Sequence, residues 1–353
     1  MEVGLLSLGD HLPDPLTGRQ QTQAERYRTI VEAAVRAESM GFSSAWLGEH
    51  HFSNYILSTP PIVLAAIAER TTRLRLGTGV TLLANLDPVR VAEDYAAVDL
   101  LSGGRVELVA GRGILIETYE AFGQQPHDSR ALFAENLELL LRLWTDEEVY
   151  WTGQFRVPLQ GITVAPKPQQ RPHPPVWVGG GSSHASVELA ARLGLPLMLP
   201  SVFAKAEAFL PLVDHYRQRF IDAGHDRSAM RVGACNHVHV GVTSQLARSE
   251  WQPYYANYFH FVDRLWARRD LIDRRVQMIF DYTALLDGPA ICGSPAEVAD
   301  RILAMQEVLG LDLHLSMLDL GGLPERDLFA ALELFGTAVL PQLRAGKSNA
   351  TPR

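Results

Sequence analysis

Apolar runs alternate with amphipathic stretches along almost the whole chain. Val3 to Leu8 is a short apolar run; beyond a polar, proline-containing loop from Asp10 to Gln23, the residues Tyr27, Ile30, Val31, Ala34 and Ala37 recur at three- and four-residue spacing. The first pattern predicts a strand and the second a helix with one buried face. The unit then repeats: Ser44 to Gly48 as strand, Pro61 to Arg70 as helix, Leu74 to Thr81 as strand, Pro88 to Leu101 as helix, and Arg105 to Ala110 as strand. Strands apolar throughout and alternating with helices imply a parallel sheet covered on both faces.

A helix from about Ser129 to Trp144 follows, with Phe133, Leu137, Leu140 and Trp144 on one face. The rhythm breaks from Asp146 to Pro174, a stretch that reads as an excursion. It resumes with Pro175 to Gly179, Leu195 to Leu199 and Arg231 to Val242 as strands, and His184 to Leu193 and Ala204 to Ala223 as helices. Ser294-Pro-Ala-Glu297 has the composition of a capping box opening a helix to about Leu309. Leu313 to Leu318 supplies a last strand and Asp327 to Leu343 a closing helix. About eight βα units result, the number of a (β/α)8 TIM barrel with insertions, expected as a single α/β domain over residues 1–343. Residues 344–353 are expected to form a disordered tail.

Between Ser244 and Gly288 lies an insertion too long for a βα loop. It carries Trp251, Tyr254, Tyr255, Tyr258 and Phe261 at helical spacing, then an arginine-rich stretch interspersed with aspartates. One reading is an amphipathic helix docked on the barrel with a solvated charged face. The other is a lid over the barrel mouth.

Charge and cysteine content narrow the classes. A formal net charge of -8 and the lack of a basic stripe interleaved with aromatics disfavour a nucleic-acid partner. Two cysteines, Cys235 and Cys292, provide neither a disulfide framework nor a CxxC site. The N-terminus lacks a basic signal region and no apolar run reaches the roughly 18 residues of a membrane span, so the expectation is a cytoplasmic protein without a membrane partner.

In a parallel barrel, chemistry belongs where strands end and βα loops begin. That places Ser7 to His11, Gly48 to Phe52, Gly77 to Leu83 and Gly111-Arg-Gly113 around one mouth. Within Ala45-Trp-Leu-Gly-Glu-His-His-Phe52, adjacent His50 and His51 point to opposite sides of an extended chain and cannot share a metal ion without a sharp turn. His237 and His239 do share a face, but a metal site needs three or more ligands and the sequence offers no evident set to complete one, so no metal is expected. A histidine beside Glu49 at a strand end is instead a candidate for acid–base or anion-stabilising work. Val176-Trp-Val-Gly-Gly-Gly-Ser-Ser-His184 runs from strand through a glycine-rich turn into a helix, where backbone N–H groups and the Ser182 and Ser183 hydroxyls could converge on an anion; glycines also serve tight βα turns. Arg112 could add a charge-assisted contact. This is neither a GxGxxG fingerprint nor a Walker loop.

Trp46-Leu-Gly-Glu-His-His-Phe52, Leu76-Gly-Thr-Gly-Val80, Asp87-Pro-Val-Arg90 followed by Glu93-Asp94, Leu101-Ser-Gly-Gly-Arg105 and Gly111-Arg-Gly113, in this order, resemble the bacterial luciferase-like, flavin-dependent monooxygenases, and most of all the luciferase alpha subunit. The likeness continues through Ser129-Arg-Ala131, Pro175-Val-Trp-Val178, Gly194-Leu-Pro196 and Gly293-Ser-Pro-Ala-Glu297. It implies a TIM barrel with a lid near the seventh strand, a homodimer through barrel-flank helices, and reduced FMN delivered by a separate NAD(P)H:flavin reductase. Oxygen would add at the flavin C4a position and oxygenate a small, fairly apolar organic substrate. By the same resemblance His50 is catalytic with Glu49 tuning it or the flavin pocket, Arg112 contacts the FMN phosphate, Gly79-Val80 is a strained, often cis, peptide shaping the flavin's face, and Gly181, Ser182 and Ser183 hold phosphate. Gly111 stands where the luciferase alpha subunit has cysteine, and the smaller residue is expected to leave more room near the flavin. Rival readings are an F420-dependent hydride-transfer oxidoreductase of the same fold, a non-catalytic flavin-binding subunit, and a metallohydrolase built on the His237/His239 pair.

Overall fold

The structure, a computed structural model, describes residues 1–180, 184–202, 204–267 and 280–346. Strands β1 (Glu2–Ser7), β2 (Ser44–Leu47), β3 (Arg75–Leu82) and β4 (Val106–Gly111) come first, each followed by a helical segment. An antiparallel hairpin, β5 (Val149–Trp151) with β6 (Leu159–Ile162), forms the excursion. Then come β7 (Val176–Gly179), β8 (Leu197–Leu199), β9 (Val232–Val240), β10 (Ile291–Gly293) and β11 (Leu313–Met317). The parallel order β1-β2-β3-β4-β7-β8-β9-β11 returns to β1, closing a barrel of eight strands. β10 lies outside that ring, paired only with the end of β9 through Ile291 and Val238. All eight barrel strands fall where the apolar runs predict them. β5, β6 and β10 escaped prediction because they stand outside the alternating strand–helix rhythm, the first two in the excursion and the third just after the insertion.

Successive strand residues divide between two cores. Leu5, Leu47, Leu108 and Val178 pack outward with helix residues such as Val63, Tyr95 and Leu140. Their neighbours Leu6, Trp46, Val109 and Trp177 fill the barrel interior with Met198 and Leu315. The period-two alternation of a strand therefore serves two largely apolar environments, and the polar residues these strands do carry, such as Glu107, Asn236 and His314, are buried with partners. At the N-terminal end of the barrel, buried Glu107 accepts a hydrogen bond from Trp177 Nε1 at 2.8 Å and pairs with Arg75, while Arg231 lies over the Trp177 ring at 4.8 Å. These contacts fill the N-terminal end of the barrel interior with a polar cluster.

At that mouth, Arg26 bridges Asp319, at 2.8 Å, and Asp10, at 3.5 Å; Ser7 Oγ also donates to Asp319. The first and last strands are thereby tied together beyond their ladders. Helix termini follow local chemistry: Thr22 and Glu25 make a full capping box. Ser294 Oγ accepts the Glu297 amide at 3.4 Å, but the Glu297 carboxylate pairs with Arg248, so the predicted second box is half-formed. The closing segment, Glu325–Gly346, has the length and apolar content to cross a bilayer. Here it buries Leu328, Leu332, Phe335, Val339 and Leu343 in the outer core.

The long helix Ser244–Ala267 lies across the mouth. Trp251, Tyr255, Tyr258, Phe259, Phe261 and Val262 join the interior core rather than water. The aromatic spacing thus marks a cap; most of the arginine-rich stretch of the insertion, residues 268–279, lies outside the described residues, as does most of the expected tail.

His314 on β11 is fully buried, with Nε2 3.1 Å from Asn236 Oδ1 and Nδ1 3.2 Å from the Ser316 hydroxyl. Burial pushes its pKa down to about 3. The folded protein leaves His314 neutral at pH 5 while the unfolded chain protonates it, so stability falls as pH drops below about 6.5, by about 2 kcal/mol for one such group at pH 5. Denaturant titrations of His314→Gln at pH 7 and pH 5 should show a correspondingly smaller acid loss than the parent; an identical loss would contradict this assignment.

Candidate active site

The βα loops at the C-terminal strand ends and the capping helix enclose a cavity of about 320 Å³. Its walls are mostly apolar, from Leu6, Leu82, Leu115, Met198, Val262 and Met317 among others. Glu49, His50, Gly79, Val80, Gly111 and Arg112, six of the residues singled out from sequence, all line it. Gly181, Ser182 and Ser183 lie outside the described residues; their neighbours Gly180 and Ser186 line the same cavity.

The loop after β2 turns sharply, and its two histidines part company. His51 Nε2 lies 2.9 Å from Glu49 Oε1, and its ring meets Phe122 edge-on at 4.9 Å. The other Glu49 oxygen, Oε2, accepts the Leu82 amide at 2.9 Å, tying this loop to the end of β3. Glu49 is therefore bonded to His51 and the β3 backbone, and neither carboxylate oxygen contacts His50. His50 stacks on Tyr55 with ring centroids 4.1 Å apart, and its Nδ1 is buried with no hydrogen-bond partner among the described residues. Burial, then the neighbouring His51, lowers its pKa to about 4. A histidine at a strand end beside a carboxylate suggests titration near neutrality; here desolvation prevails and the imidazole is neutral at pH 7.

The Gly79–Val80 peptide is cis, and the β3–β4 register shifts between Gly79 and Thr81, so Val80 bulges out of the ladder. Its side chain lies against the ends of the next two strands in the barrel, β4 and β7, where they carry glycine. A Cβ on Gly111 would be 2.5 Å from Val80 Cγ2, and one on Gly179 would be 3.2 Å from Val80 Cγ1. The room expected from a small residue at position 111 is thus occupied by Val80, which forms that part of the cavity floor.

Arg112 begins the loop after β4. Its Nη1 donates to Ser129 Oγ at 3.1 Å, and its carbonyl accepts from the Tyr119 hydroxyl. Arg112 and Ser186, the latter in the first turn of helix His184–Leu193, line both the cavity and an outer groove of about 670 Å³ that also includes Arg130, Arg192 and Arg219. A guanidinium, a hydroxyl and a helix N-terminal turn on one edge make that edge suited to a phosphate.

Across the cavity, Tyr258 from the cap meets Tyr55 with the two hydroxyls 2.8 Å apart, and His237 Nδ1 lies 3.1 Å from the Tyr255 hydroxyl. Burial lowers the His237 pKa to about 3. His239 stacks on Trp251 at 5.8 Å, an interplanar angle of 7°. Among the described residues no three His, Cys, Asp or Glu side chains gather as metal ligands would. Tyr55, Asn85, Ser186 and Tyr258 line the cavity without having been singled out from sequence. Tyr258 was visible as one of the insertion's aromatics, whereas nothing local distinguishes Asn85 or Ser186.

The eight-stranded parallel barrel, closed by surrounding helices and capped over an apolar pocket at its C-terminal strand ends, is an α/β TIM barrel. The chain belongs to the luciferase-like monooxygenase family, whose model it matches over residues 1–312. It is 27% identical over 341 residues to the oxygenase component of the flavin-dependent trigonelline monooxygenase of Acinetobacter baylyi, covering 93% of both chains. Over 210 residues it is 30% identical to an alkanal monooxygenase alpha chain of Photorhabdus luminescens, covering 59% of this chain and 57% of that one. Among solved structures it resembles monooxygenase RslO1 of Streptomyces bottropensis with a TM-score of 0.82 and 28% identity, covering 97% of this chain and 99% of the other. The fold also matches the FMN complex of the oxygenating constituent of 3,6-diketocamphane monooxygenase from Pseudomonas putida, with a TM-score of 0.80, 21% identity and coverage of 97% and 98%. An F420-dependent secondary alcohol dehydrogenase shares the fold with a TM-score of 0.74 at 18% identity, covering 97% and 99%.

The contact of Val80 with Gly111 yields a prediction. Gly111→Ala should cost roughly 1–3 kcal/mol by overpacking, because the new methyl has nowhere to go. Val80→Ala in the same chain should recover most of that loss. Denaturation of the two single variants and the double variant measures the coupling, and purely additive effects would contradict the packing described.

Proposed function

We propose that this protein is a monooxygenase using reduced FMN and O2, acting on a small, fairly apolar organic substrate, with FMN delivered by a separate NAD(P)H:flavin reductase. The observation carrying this reading is the capped apolar cavity in which a neutral, buried His50 has an unpartnered Nδ1 while Arg112 and Ser186 form a phosphate-suited edge. The residues present fit a phosphorylated planar cofactor: one cationic corner, apolar walls, and buried polar atoms left for a ligand.

Reduced FMN, when bound, supplies the electrons that activate dioxygen. Arg112 and Ser186 hold its phosphate, with Gly181, Ser182 and Ser183 as further candidates, and Gly79, Val80 and Gly111 shape the surface behind its ring. His50 Nδ1 gives or takes a proton as a neutral imidazole. Glu49 acts through His51 and the Leu82 amide, positioning the loop that carries His50. Tyr258, Phe259 and Val262 exclude water from the reacting atoms, which guards an oxygen-activating centre against unproductive hydrolysis. Exposed Ile62 and Leu101, on two flank helices, support assembly as a homodimer.

A second reading is favoured by one observation. The outer groove continues from the Arg112 edge and carries Arg130, Arg192 and Arg219 beside Glu188 and Asp222; the longer anionic tail of F420 in a hydride-transfer enzyme would meet these arginines by displacing Glu138 from Arg192 and Asp222 from Arg219. Anaerobic titration of the purified protein separates the two. Reduced FMN should bind in the micromolar range and reduced F420 at least about tenfold more weakly; the reverse order would replace the monooxygenase with an F420-dependent oxidoreductase.

For His50 the test uses photoreduced FMN mixed with O2. His50→Ala should keep its affinity for reduced FMN but change the rate of flavin reoxidation, or the hydrogen peroxide yield, by about 100-fold. With a pKa of about 4, the wild-type profile should be level from pH 8 to 5.5. Unaltered reoxidation and peroxide yield in the variant would remove His50 from the chemistry.

A further inference from the structure

Asn85 stands out among the cavity residues because neither end of its amide is satisfied. The side chain lines the cavity in the loop after β3, the residue is 5% exposed, and both Nδ2 and Oδ1 are buried without a hydrogen-bond partner among the described residues. A buried amide in this condition is destabilising, since its desolvation is not offset.

The loop around Asn85 is held in place, so loose placement does not account for the orphaned amide. Asn85 N donates to Leu82 O at 2.8 Å, closing a tight turn. From helix Ser129–Thr145, Asn136 Nδ2 donates to Leu83 O at 2.9 Å and to Leu86 O at 3.3 Å, gripping the loop on both sides of Asn85. On the cavity side, the Arg112-Gly113 turn passes close by: a Cβ on Gly113 would lie 3.4 Å from Asn85 Oδ1. One asparagine, Asn136, is spent on fixing the loop, and the other is presented by it.

We infer that Asn85 is a ligand-binding residue that recognises an amide-like edge, a carbonyl beside an N–H, through its paired donor and acceptor. The matching chemistry is a cyclic imide or amide, –CO–NH–, which can meet a carboxamide side chain with two antiparallel hydrogen bonds. Within the cavity such an edge can come from the pyrimidine ring of the flavin or from an amide-bearing substrate. The inference rests on the flavin reading proposed above only for the first source.

The test uses FMN, 3-methyl-FMN, in which the N–H of the edge is blocked, and glutarimide as a small cyclic imide, with wild type, Asn85→Leu and Asn85→Asp. Failure of the wild type to bind FMN at all overturns the flavin reading, not the role of Asn85, which the imide arm then decides. If the edge is the flavin's, Asn85→Leu weakens FMN binding about tenfold or more while binding of 3-methyl-FMN, already weakened, changes little. If it is the substrate's, any FMN affinity is kept and glutarimide binding, measured on the protein both with and without FMN, is lost in both variants. In either case the ligand-free Asn85→Leu protein melts no lower than wild type, because an unsatisfied buried amide has been removed. Unchanged affinity for all three probes, or a lowered melting temperature with restored stability in Asn85→Asp, would show a structural role and overturn the inference.

Discussion

A polar group shut inside an apolar mouth must find its partner within the protein or in a ligand, and this constraint organises the whole site. The aromatic face of helix Ser244–Ala267 closes over the strand ends and removes water from a ring of side chains that would otherwise be solvated. Most are then satisfied internally: Glu49 by His51 and the Leu82 amide, Tyr55 by Tyr258, His237 by Tyr255, and Asp10 and Asp319 by Arg26. Among the described residues His50 Nδ1, both ends of the Asn85 amide, His239 Nδ1 and the second Asp319 oxygen, Oδ1, are not, and of these only His50 and Asn85 line the cavity. The residues with the strongest claim to a ligand are those the protein leaves unsatisfied.

The same desolvation fixes protonation. Burial holds His50 near pKa 4 and His237 near 3, so both act as neutral imidazoles, and it raises Tyr55 and Tyr258 well above their ordinary range, keeping their hydroxyls protonated. Buried Asp10 is raised to about 6 despite Arg26, burial outweighing the ion pair. Apart from the Arg112 edge and the carboxylate of Glu49, which is engaged by His51, the cavity presents neutral polar atoms. An apolar reactant and a reactive oxygen species require such a setting, since charge or water would offer competing reactions.

The barrel strands were legible in the sequence because a strand buried on both faces is apolar at most positions, as in Pro175 to Gly179, and the polar residues it does hold are bonded to one another, as Thr78 is to Thr81. The short elements Val149–Trp151 and Ile291–Gly293 carry no such signature. At the site, strand-end position pointed to Glu49, His50, Gly79, Val80, Gly111 and Arg112, and they do converge on one cavity. What sequence could not supply was pairing. The bonding of Glu49 to His51 depends on a turn after β2, and the filling of the space beside Gly111 depends on the bulge at Val80. Asn85 and Ser186 lie among ordinary loop and helix residues, and only the arrangement of separate loops brings them to the cavity.

On the function proposed above, the capped cavity would seat FMN with its phosphate at the Arg112 edge and its ring against Val80, within reach of His50. A crystal structure of the protein soaked with FMN tests this most directly. The account predicts electron density for the phosphate between Arg112 and Ser186 and for the ring over the Gly79–Val80 peptide. Density for the ring outside the cap, or a cavity filled by the Tyr258 and Phe259 side chains with FMN bound elsewhere, would contradict it.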